Sequence, residues 1–411
     1  MNTATAIYVH LPWCVRKCPY CDFNSHAAPG RIPELTYVKA LLADLDADLD
    51  LAADRTVTSV FLGGGTPSLF GTVAIETLLK GIATRLSFAA DVEITMEANP
   101  GTIEHGRFEG YAAAGVNRVS LGAQSFDAER LKQLGRIHGP EEIGIAVSEL
   151  RAASITNFNL DLMYALPEQT TAGALADLSS AIALGPAHLS HYQLTLEPGT
   201  AFYYRPPPLP DDDQAFEMQE GCQQMLAAVG FEQYEVSAYS RPGRQCRHNL
   251  NYWRYGDYLG IGAGAHGKVT VDGQVIRTEK PRMPREYLRR AVEGMDNGDT
   301  RRSVPVADLP FEFMLNALRL HEGFTLADFE RATGLGADSL EPGLADLAAR
   351  TLMAETGGRW RPTGLGFRFL NDLQAAFLPP GEGVAGSREL YTAPSRLGPE
   401  RHFRHIVTDV P

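Results

Sequence analysis

Between residues 6 and 194, six short apolar runs alternate with five amphipathic stretches. Residues 6–10, 59–62, 92–97, 118–122, 157–163 and 188–194 read as strands: brief, rich in Val, Ile, Leu and Phe, and bounded by turn residues. Residues 34–51, 73–88, 103–114, 141–153 and 171–184 carry helical spacing, and each is long enough to cross back to a parallel strand. This repeat predicts an α/β fold, a barrel or partial barrel with functional groups on the loops that follow the strands. A doubly wound open sheet is the alternative.

The pattern breaks at Pro206-Pro207-Pro208. Asp211-Asp212-Asp213 then precedes a helix over 214–229, where acidic residues favour the positive end of the helix dipole. A hairpin is expected at Asp272-Gly273, with arms 269–271 and 275–278. From residue 304 the spacing predicts helices over 311–320, 326–332 and 339–351, then a hairpin at Thr356-Gly357-Gly358-Arg359. Three short helices and a hairpin suggest a small winged-helix-like α+β domain. The expected division is 1–205 for the partial barrel, 206–303 for a barrel extension, 304–378 for the C-terminal domain and 379–411 for a loosely ordered tail.

The first strand runs into Cys14, Cys18 and Cys21, spaced C-x-x-x-C-x-x-C. Three thiolates on one loop suit a soft-metal site. They supply three ligands, not four, so one iron of a four-iron cluster stays open to a small molecule. The competing reading is a zinc site completed by His10 or His26, or by Cys246 and His248 from far along the chain. Cys222 falls inside the helix over 214–229 and reads as a small buried residue. Five cysteines in 411 residues make no disulfide framework, and the tight cluster fits a reducing, cytoplasmic setting. No basic segment with an apolar core precedes Cys14, and no run approaches 18 apolar residues, so neither a secretory signal nor a membrane span is expected. Peripheral membrane contact stays open. The formal net charge of −13 argues against a broad nucleic-acid-binding face.

Polar groups collect where the strands end. Gly63-Gly64-Gly65-Thr66-Pro67 closes the second strand and matches neither a Walker loop nor a dinucleotide fingerprint. Glu97 closes the third strand ahead of Asn99-Pro100-Gly101, which is turn chemistry in itself. Gln124 lies just past the fourth strand and Arg136 in Leu134-Gly135-Arg136-Ile137-His138. Asp161 sits inside an apolar strand, where a carboxylate needs a partner or a role.

Taken together, the three-cysteine motif, Gly63 to Pro67 and the strand-end residues resemble the radical S-adenosylmethionine (SAM) superfamily. Within it they look like the branch that holds the oxygen-independent coproporphyrinogen III oxidases and the HemW haem chaperones. The resemblance spans residues 8–378 and implies a partial (β/α)6 TIM-like radical SAM barrel. It implies a [4Fe–4S] cluster on Cys14, Cys18 and Cys21, with SAM on the fourth iron and cleaved by one electron to methionine and a 5′-deoxyadenosyl radical. It places Tyr8 and the backbone at Tyr20 against SAM, and Gly64, Gly65 and Thr66 along the methionine end. Glu97, Gln124, Arg136 and Asp161 would take its polar groups. The oxidase pattern carries a further cysteine where this chain has Phe23, and a longer segment before the first strand. Both departures point to the chaperone side, and so to haem as ligand, haem-accepting respiratory proteins as partners and homodimerisation as an option.

His248-Asn249-Leu250-Asn251-Tyr252-Trp253 strengthens that reading, because H-N-x-x-Y-W is a mark of the chaperones. His248 would offer an imidazole to iron, and Tyr252 and Trp253 flat faces to a porphyrin. The plainer reading is a packed loop with Trp253 in the core, and Cys246 competes as an iron ligand. Arg282, Arg285, Arg289, Arg290, Arg301 and Arg302 form a basic island that reads first as a solvated face. Haem propionates, an anionic membrane or an acidic partner are the other readings.

Overall fold

The computed structural model describes residues 3–28, 30–52, 55–101, 106–293 and 300–379. The tail expected over 379–411 lies, from residue 380 on, outside the described residues.

All six expected strands form: β1 (Thr3–Leu11), β2 (Arg55–Gly64), β3 (Ser87–Ala98), β4 (Arg118–Gln124), β5 (Phe158–Tyr164) and β6 (His188–Gln193). They pair in parallel in that order. Residues 206–303 then extend this sheet at both edges. β7 (Glu232–Glu235) and β8 (Ala238–Ser240) form an antiparallel pair, with β8 against β6. β9 (Tyr258–Ile261) takes the other side of β1 as a further parallel strand. β10 (His266–Val271), β11 (Gln274–Glu279) and β12 (Thr300–Ser303) continue outward antiparallel. The result is a twelve-stranded mixed sheet with β12 and β7 at its edges, an open partial barrel.

Alternation along the strands sets what faces what, because successive side chains point to opposite sides. Ile7, Val9, Leu62, Met96, Leu121 and Leu160 pack with Tyr37, Leu41, Ile75, Leu78, Ile143 and Leu178 of the crossover helices in one large core. The intervening positions carry Ser59, Glu93, Thr95, Glu97, Arg118, Ser120, Asn159 and Asp161. One face of the sheet is therefore the hydrocarbon layer under the helices, and the other is polar.

The crossover helices are Glu34–Ala47, Thr72–Ala83, Phe108–Ala114, Pro140–Ala152 and Thr171–Ala183. The second stops five residues before its expected end because β3 begins at Ser87. A short unexpected helix, Ala128–Gln133, is started by Asp127, whose carboxylate accepts from the Glu129 and Arg130 N–H groups. The helix after the acidic triplet runs from Asp212 to Ala228 with Asp211 as its cap. Helices Leu309–Ala317, Leu326–Thr333 and Glu341–Ala349 and a three-stranded sheet of Phe324–Thr325, Met353–Thr356 and Arg359–Pro362 match the winged-helix-like pattern. Their core of Phe313, Met314, Phe329, Leu344 and Leu347 also takes in Tyr255 and Val275. Among the described residues no helix is long and apolar enough to cross a membrane.

The outer hairpin is tied to the first helix by a buried ion cluster. Lys280 Nζ lies 2.7 Å from both Asp44 and Asp48, all three fully buried, and Arg301 reaches Asp48 at 2.9 Å. Lys280→Met would strand two carboxylates without that cation. Loss of one partner of such a cluster costs about 3–5 kcal/mol, so the urea midpoint is expected to fall sharply; a midpoint equal to wild type would contradict this.

Candidate functional site

β1 leads straight into the cysteine loop. Trp13–Cys14 pairs in parallel with His26–Ala27, so the loop returns on itself. The His26 N–H donates to the Pro12 carbonyl at 2.7 Å and the Ala28 N–H to the Cys14 carbonyl at 2.9 Å. Lys17 Nζ donates to the Phe23 and Ser25 carbonyls and steadies the far side. Cys14, Cys18 and Cys21 are unpaired and half-buried. Burial pushes the Cys14 and Cys21 thiols up, with Thr66 and Ser25 respectively opposing the shift. A bound cation inverts this preference and holds thiolates.

The zinc alternative asks for ligands that converge on one ion at about 2.3 Å from each sulfur. His10 has both ring nitrogens engaged: Nε2–H donates to the Asn24 carbonyl at 3.0 Å and Nδ1 accepts from the Tyr8 hydroxyl at 2.9 Å. Among the described residues no group of three His, Cys, Asp or Glu side chains is arranged around a single ion position. A four-iron cluster makes a different demand, since each thiolate binds its own iron.

The glycine turn after β2 lies directly against this loop. The Gly65 N–H donates to the Leu11 carbonyl and the Thr66 N–H to the Trp13 carbonyl, both at 2.8 Å. Gly64 has φ +107°, and a Cβ there would run into the His10 ring. At Gly65 a Cβ would sit 2.6 Å from the Trp13 carbonyl oxygen. Here glycine is required by close approach as well as by backbone conformation.

The remaining strand ends close around the turn. Glu97 accepts from the Gly64 N–H at 3.1 Å. Arg136 donates to the Asn99 side-chain oxygen and to the Gly122 carbonyl, and reaches the Cys18 sulfur at 3.8 Å. Asn99 in turn donates to the Thr66 hydroxyl at 3.0 Å. Asp161 has the partners its apolar strand demanded: Ser120 donates at 3.0 Å and Asn159 at 2.7 Å. Gln124, at φ +63°, donates to the Tyr192 hydroxyl at 3.2 Å, while its buried carbonyl oxygen has no partner among the described residues. Glu97 keeps partial solvent contact at the mouth, yet burial and then the charge of Asp161 push its carboxyl up to about 8. Asp161 is also pushed up by burial, against the pull of Ser190, Ser120 and Asn159.

These groups suit a ligand with an amino-acid head and a positive centre. A cleft lined by Cys18, Thr66, Asn99, Arg136 and His138 opens beside the cysteine loop. Next to Arg136 and Asn99 of that lining, a Cβ on Gly122 would lie 3.2–3.3 Å from Arg136, Gln124 and Asn99, so three polar heads crowd around a residue with no side chain. A guanidinium for a carboxylate, two carboxyls for a cation and an unmet amide oxygen for an N–H or O–H donor fit SAM. Asn99 was hidden by its turn-forming sequence; a polar residue two positions past a strand that already ends in Glu97 is the only signal it leaves. Tyr8 meets His10 and stacks on Phe61, and Tyr20 packs beside Phe202 at the rim.

The histidine motif lies elsewhere. His248 is fully buried in the helix Arg247–Trp253. Its Nδ1 meets the Ser59 hydroxyl and its Nε2 the Tyr252 hydroxyl, both at 3.1 Å, and its ring stacks on Phe61. Burial holds its pKa down near 3. Cys246 is equally buried, 3.6 Å from the Glu93 carboxylate, and Trp253 is in the core, as the plainer reading expects. In this conformation neither His248 nor Cys246 is offered to a ligand. Of the basic island, Arg289 and Arg290 pair with Glu286, and Arg301 pairs with Asp48 and Asp50. These three behave as a locally neutralised face. Cys222 is buried in its helix, as expected.

The radical SAM superfamily profile matches residues 8–178, and the HemN C-terminal domain profile matches residues 304–369. The chain is 52% identical to the haem chaperone HemW of Escherichia coli (strain K12), over 91% of this chain and 98% of that protein. The chain belongs to the HemW family. It is 47% identical to HemW of Haemophilus influenzae, over 91% of this chain and 97% of that one. It is 36% identical to the mitochondrial radical S-adenosyl methionine domain-containing protein 1 of Bos taurus, over 78% and 74%. The structure of coproporphyrinogen III oxidase (HemN) from Escherichia coli, a radical SAM enzyme, superposes with TM-score 0.76 at 22% identity, over 92% of this chain and 90% of that one. At that identity the likeness establishes the fold.

Gly64→Ala tests how far the site depends on the close approach. The added methyl collides with His10 in a left-handed backbone region that costs about 1–3 kcal/mol for a non-glycine residue. The variant, reconstituted anaerobically, is expected to hold less than half the wild-type iron and sulfide; full occupancy would show that the loop does not need this contact.

Proposed function

We propose that this HemW-family protein is a haem chaperone: it binds haem and delivers it to haem-requiring respiratory proteins, and it carries a [4Fe–4S] cluster on Cys14, Cys18 and Cys21 together with SAM. The observation that carries the reading is the 52% identity along 98% of the Escherichia coli haem chaperone. Phe23, exposed beside the cysteine loop, supports it, since the oxidase pattern has cysteine there.

Within this proposal, Arg136 faces the SAM carboxylate, and Gly64, Gly65 and Thr66 line the methionine end. Glu97 and Asp161 offset positive charge, the Gln124 amide oxygen accepts a hydrogen bond from the ligand, and Tyr8 and Tyr20 border the space. A reduced cluster with SAM supplies one-electron chemistry. Contact between haem iron and His248 requires the His248 ring to release its bonds to Ser59 and Tyr252. Homodimerisation, contact with an anionic membrane and a cytoplasmic location belong to the same proposal.

The test is haem titration followed at the Soret band, then mixing of the loaded protein with a haem-free respiratory protein. Binding and transfer are expected. In parallel, anaerobic incubation with coproporphyrinogen III, SAM and reductant is expected to yield no stoichiometric carbon dioxide. Absence of haem binding, or robust decarboxylation, would replace the chaperone reading with an oxidase.

The SAM site carries a pH signature. With its carboxyl raised to about 8, Glu97 is largely protonated at pH 7 in the free protein. A positive ligand favours the carboxylate, so binding expels a proton below about pH 8. SAM affinity is therefore expected to rise from pH 6 to 8 and to level off above. Glu97→Gln removes this component, and the difference in slope between wild type and variant measures it; identical slopes would rule it out.

A further inference from the structure

His138 lies two residues beyond Arg136, on the wall of the same cleft. It is 4% exposed. Its Nε2 lies 3.2 Å from the Ala123 carbonyl. A carbonyl only accepts, so Nε2 carries the proton and donates it. The other nitrogen, Nδ1, is buried without a partner among the described residues. With the proton on Nε2, Nδ1 is a lone-pair acceptor; burial, and then the nearby Arg136 cation, disfavour a second proton on the ring. The Nε of Arg136 likewise has no partner among the described residues. A buried acceptor and a buried donor thus lie unpaired on neighbouring side chains of one cleft. Unpaired buried polar atoms are costly, and in a native fold they mark a strain reservoir, a functional role or an absent partner.

We propose that His138 is a ligand-positioning residue of this cleft, with its Nδ1 accepting a hydrogen bond from an amine or hydroxyl of bound SAM while Arg136 takes the neighbouring acceptor group. The inference rests on the reading of the cleft as the SAM site. It assigns the residue a direction: Nε2–H fixes the ring on the β4 end through Ala123, and Nδ1 is left for the ligand. The plain alternative is that His138 only ties its loop to β4, in which case Nε2 is the working atom.

The two roles separate by substitution. Gln places a side-chain amide near the Nε2 position and can keep the Ala123 bond, but leaves nothing at Nδ1. Asn places its carbonyl oxygen near the Nδ1 position and gives up the Ala123 bond. The experiment measures SAM affinity by equilibrium dialysis on the full chain with its cluster reconstituted anaerobically, beside iron content and melting temperature. H138Q is expected to weaken SAM binding at least tenfold with iron content and melting temperature near wild type, while H138N stays within about threefold of wild type. The reverse order, H138N weak and H138Q normal, would overturn the proposal in favour of the structural role. R136A serves as the control for the site itself. Weakened binding in R136A with normal binding in H138Q overturns the role of His138 alone. Unchanged binding in R136A and H138Q together overturns both the site and the role.

Discussion

Two backbone segments approach each other more closely than side chains would permit, and the rest of the site depends on that contact. The end of β1 lies against the turn that closes β2, with Gly65 and Thr66 donating to the Leu11 and Trp13 carbonyls. Because Gly64 and Gly65 present no Cβ, the cysteine loop and the turn share one wall. Glu97 can then reach the Gly64 N–H, Asn99 the Thr66 hydroxyl, and Arg136 both Asn99 and Cys18. Each later strand end is placed relative to this pair, so the site is a property of sheet order more than of any one loop.

Much of this arrangement is legible in the residues, for a physical reason. Parallel strands buried beneath helices need apolar side chains at alternate positions, and the intervening positions face the inside of the partial barrel. A carboxylate such as Asp161 then stands out as needing partners, and Ser120 and Asn159 supply them. The part that was hidden depends on contacts distant in sequence. β9 is four residues long, too short to show a period, and nothing near residue 258 signals that it will lie parallel on β1. Asn99 was masked by Asn-Pro-Gly, a sequence that makes a turn whether or not its side chain also binds Arg136. The short helix after Asp127 was missed because six residues cannot display a helical repeat.

The polar face of the sheet also explains the histidine motif. Arg118 is 2% exposed on that face, among Cys246, Glu93, Tyr234 and Asp161. A buried guanidinium without nearby negative or acceptor groups would cost several kcal/mol. Glu93 brings a negative charge to that neighbourhood, and its carboxylate accepts from the Arg247 N–H at 2.9 Å and the His248 N–H at 3.3 Å. It therefore satisfies N–H groups at the start of the 247–253 helix that have no partner within the helix. His188 adds a bridge between Asn159 and the Tyr234 hydroxyl. His248, Tyr252 and Cys246 thus have partners within the polar interior, and their spacing in sequence reflects this packing as directly as any ligand.

That packing links the motif to the cysteine loop. The His248 ring stacks 5.0 Å from Phe61, Phe61 stacks on Tyr8, Tyr8 bonds to His10, and His10 holds the Asn24 carbonyl just past Cys21. The ring contacts and the Tyr8–His10 bond join buried side chains, the last step reaches a backbone carbonyl of the loop, and close-packed interiors transmit displacement. If the helix 247–253 turned outward to present His248 to an iron, Phe61 would lose its stacking partner and the wall behind Tyr8 would loosen. The cysteine loop leans on that wall through His10. A haem ligand at His248 and a cluster on Cys14, Cys18 and Cys21 would for this reason not be independent occupants of the fold: filling one site would change the support of the other.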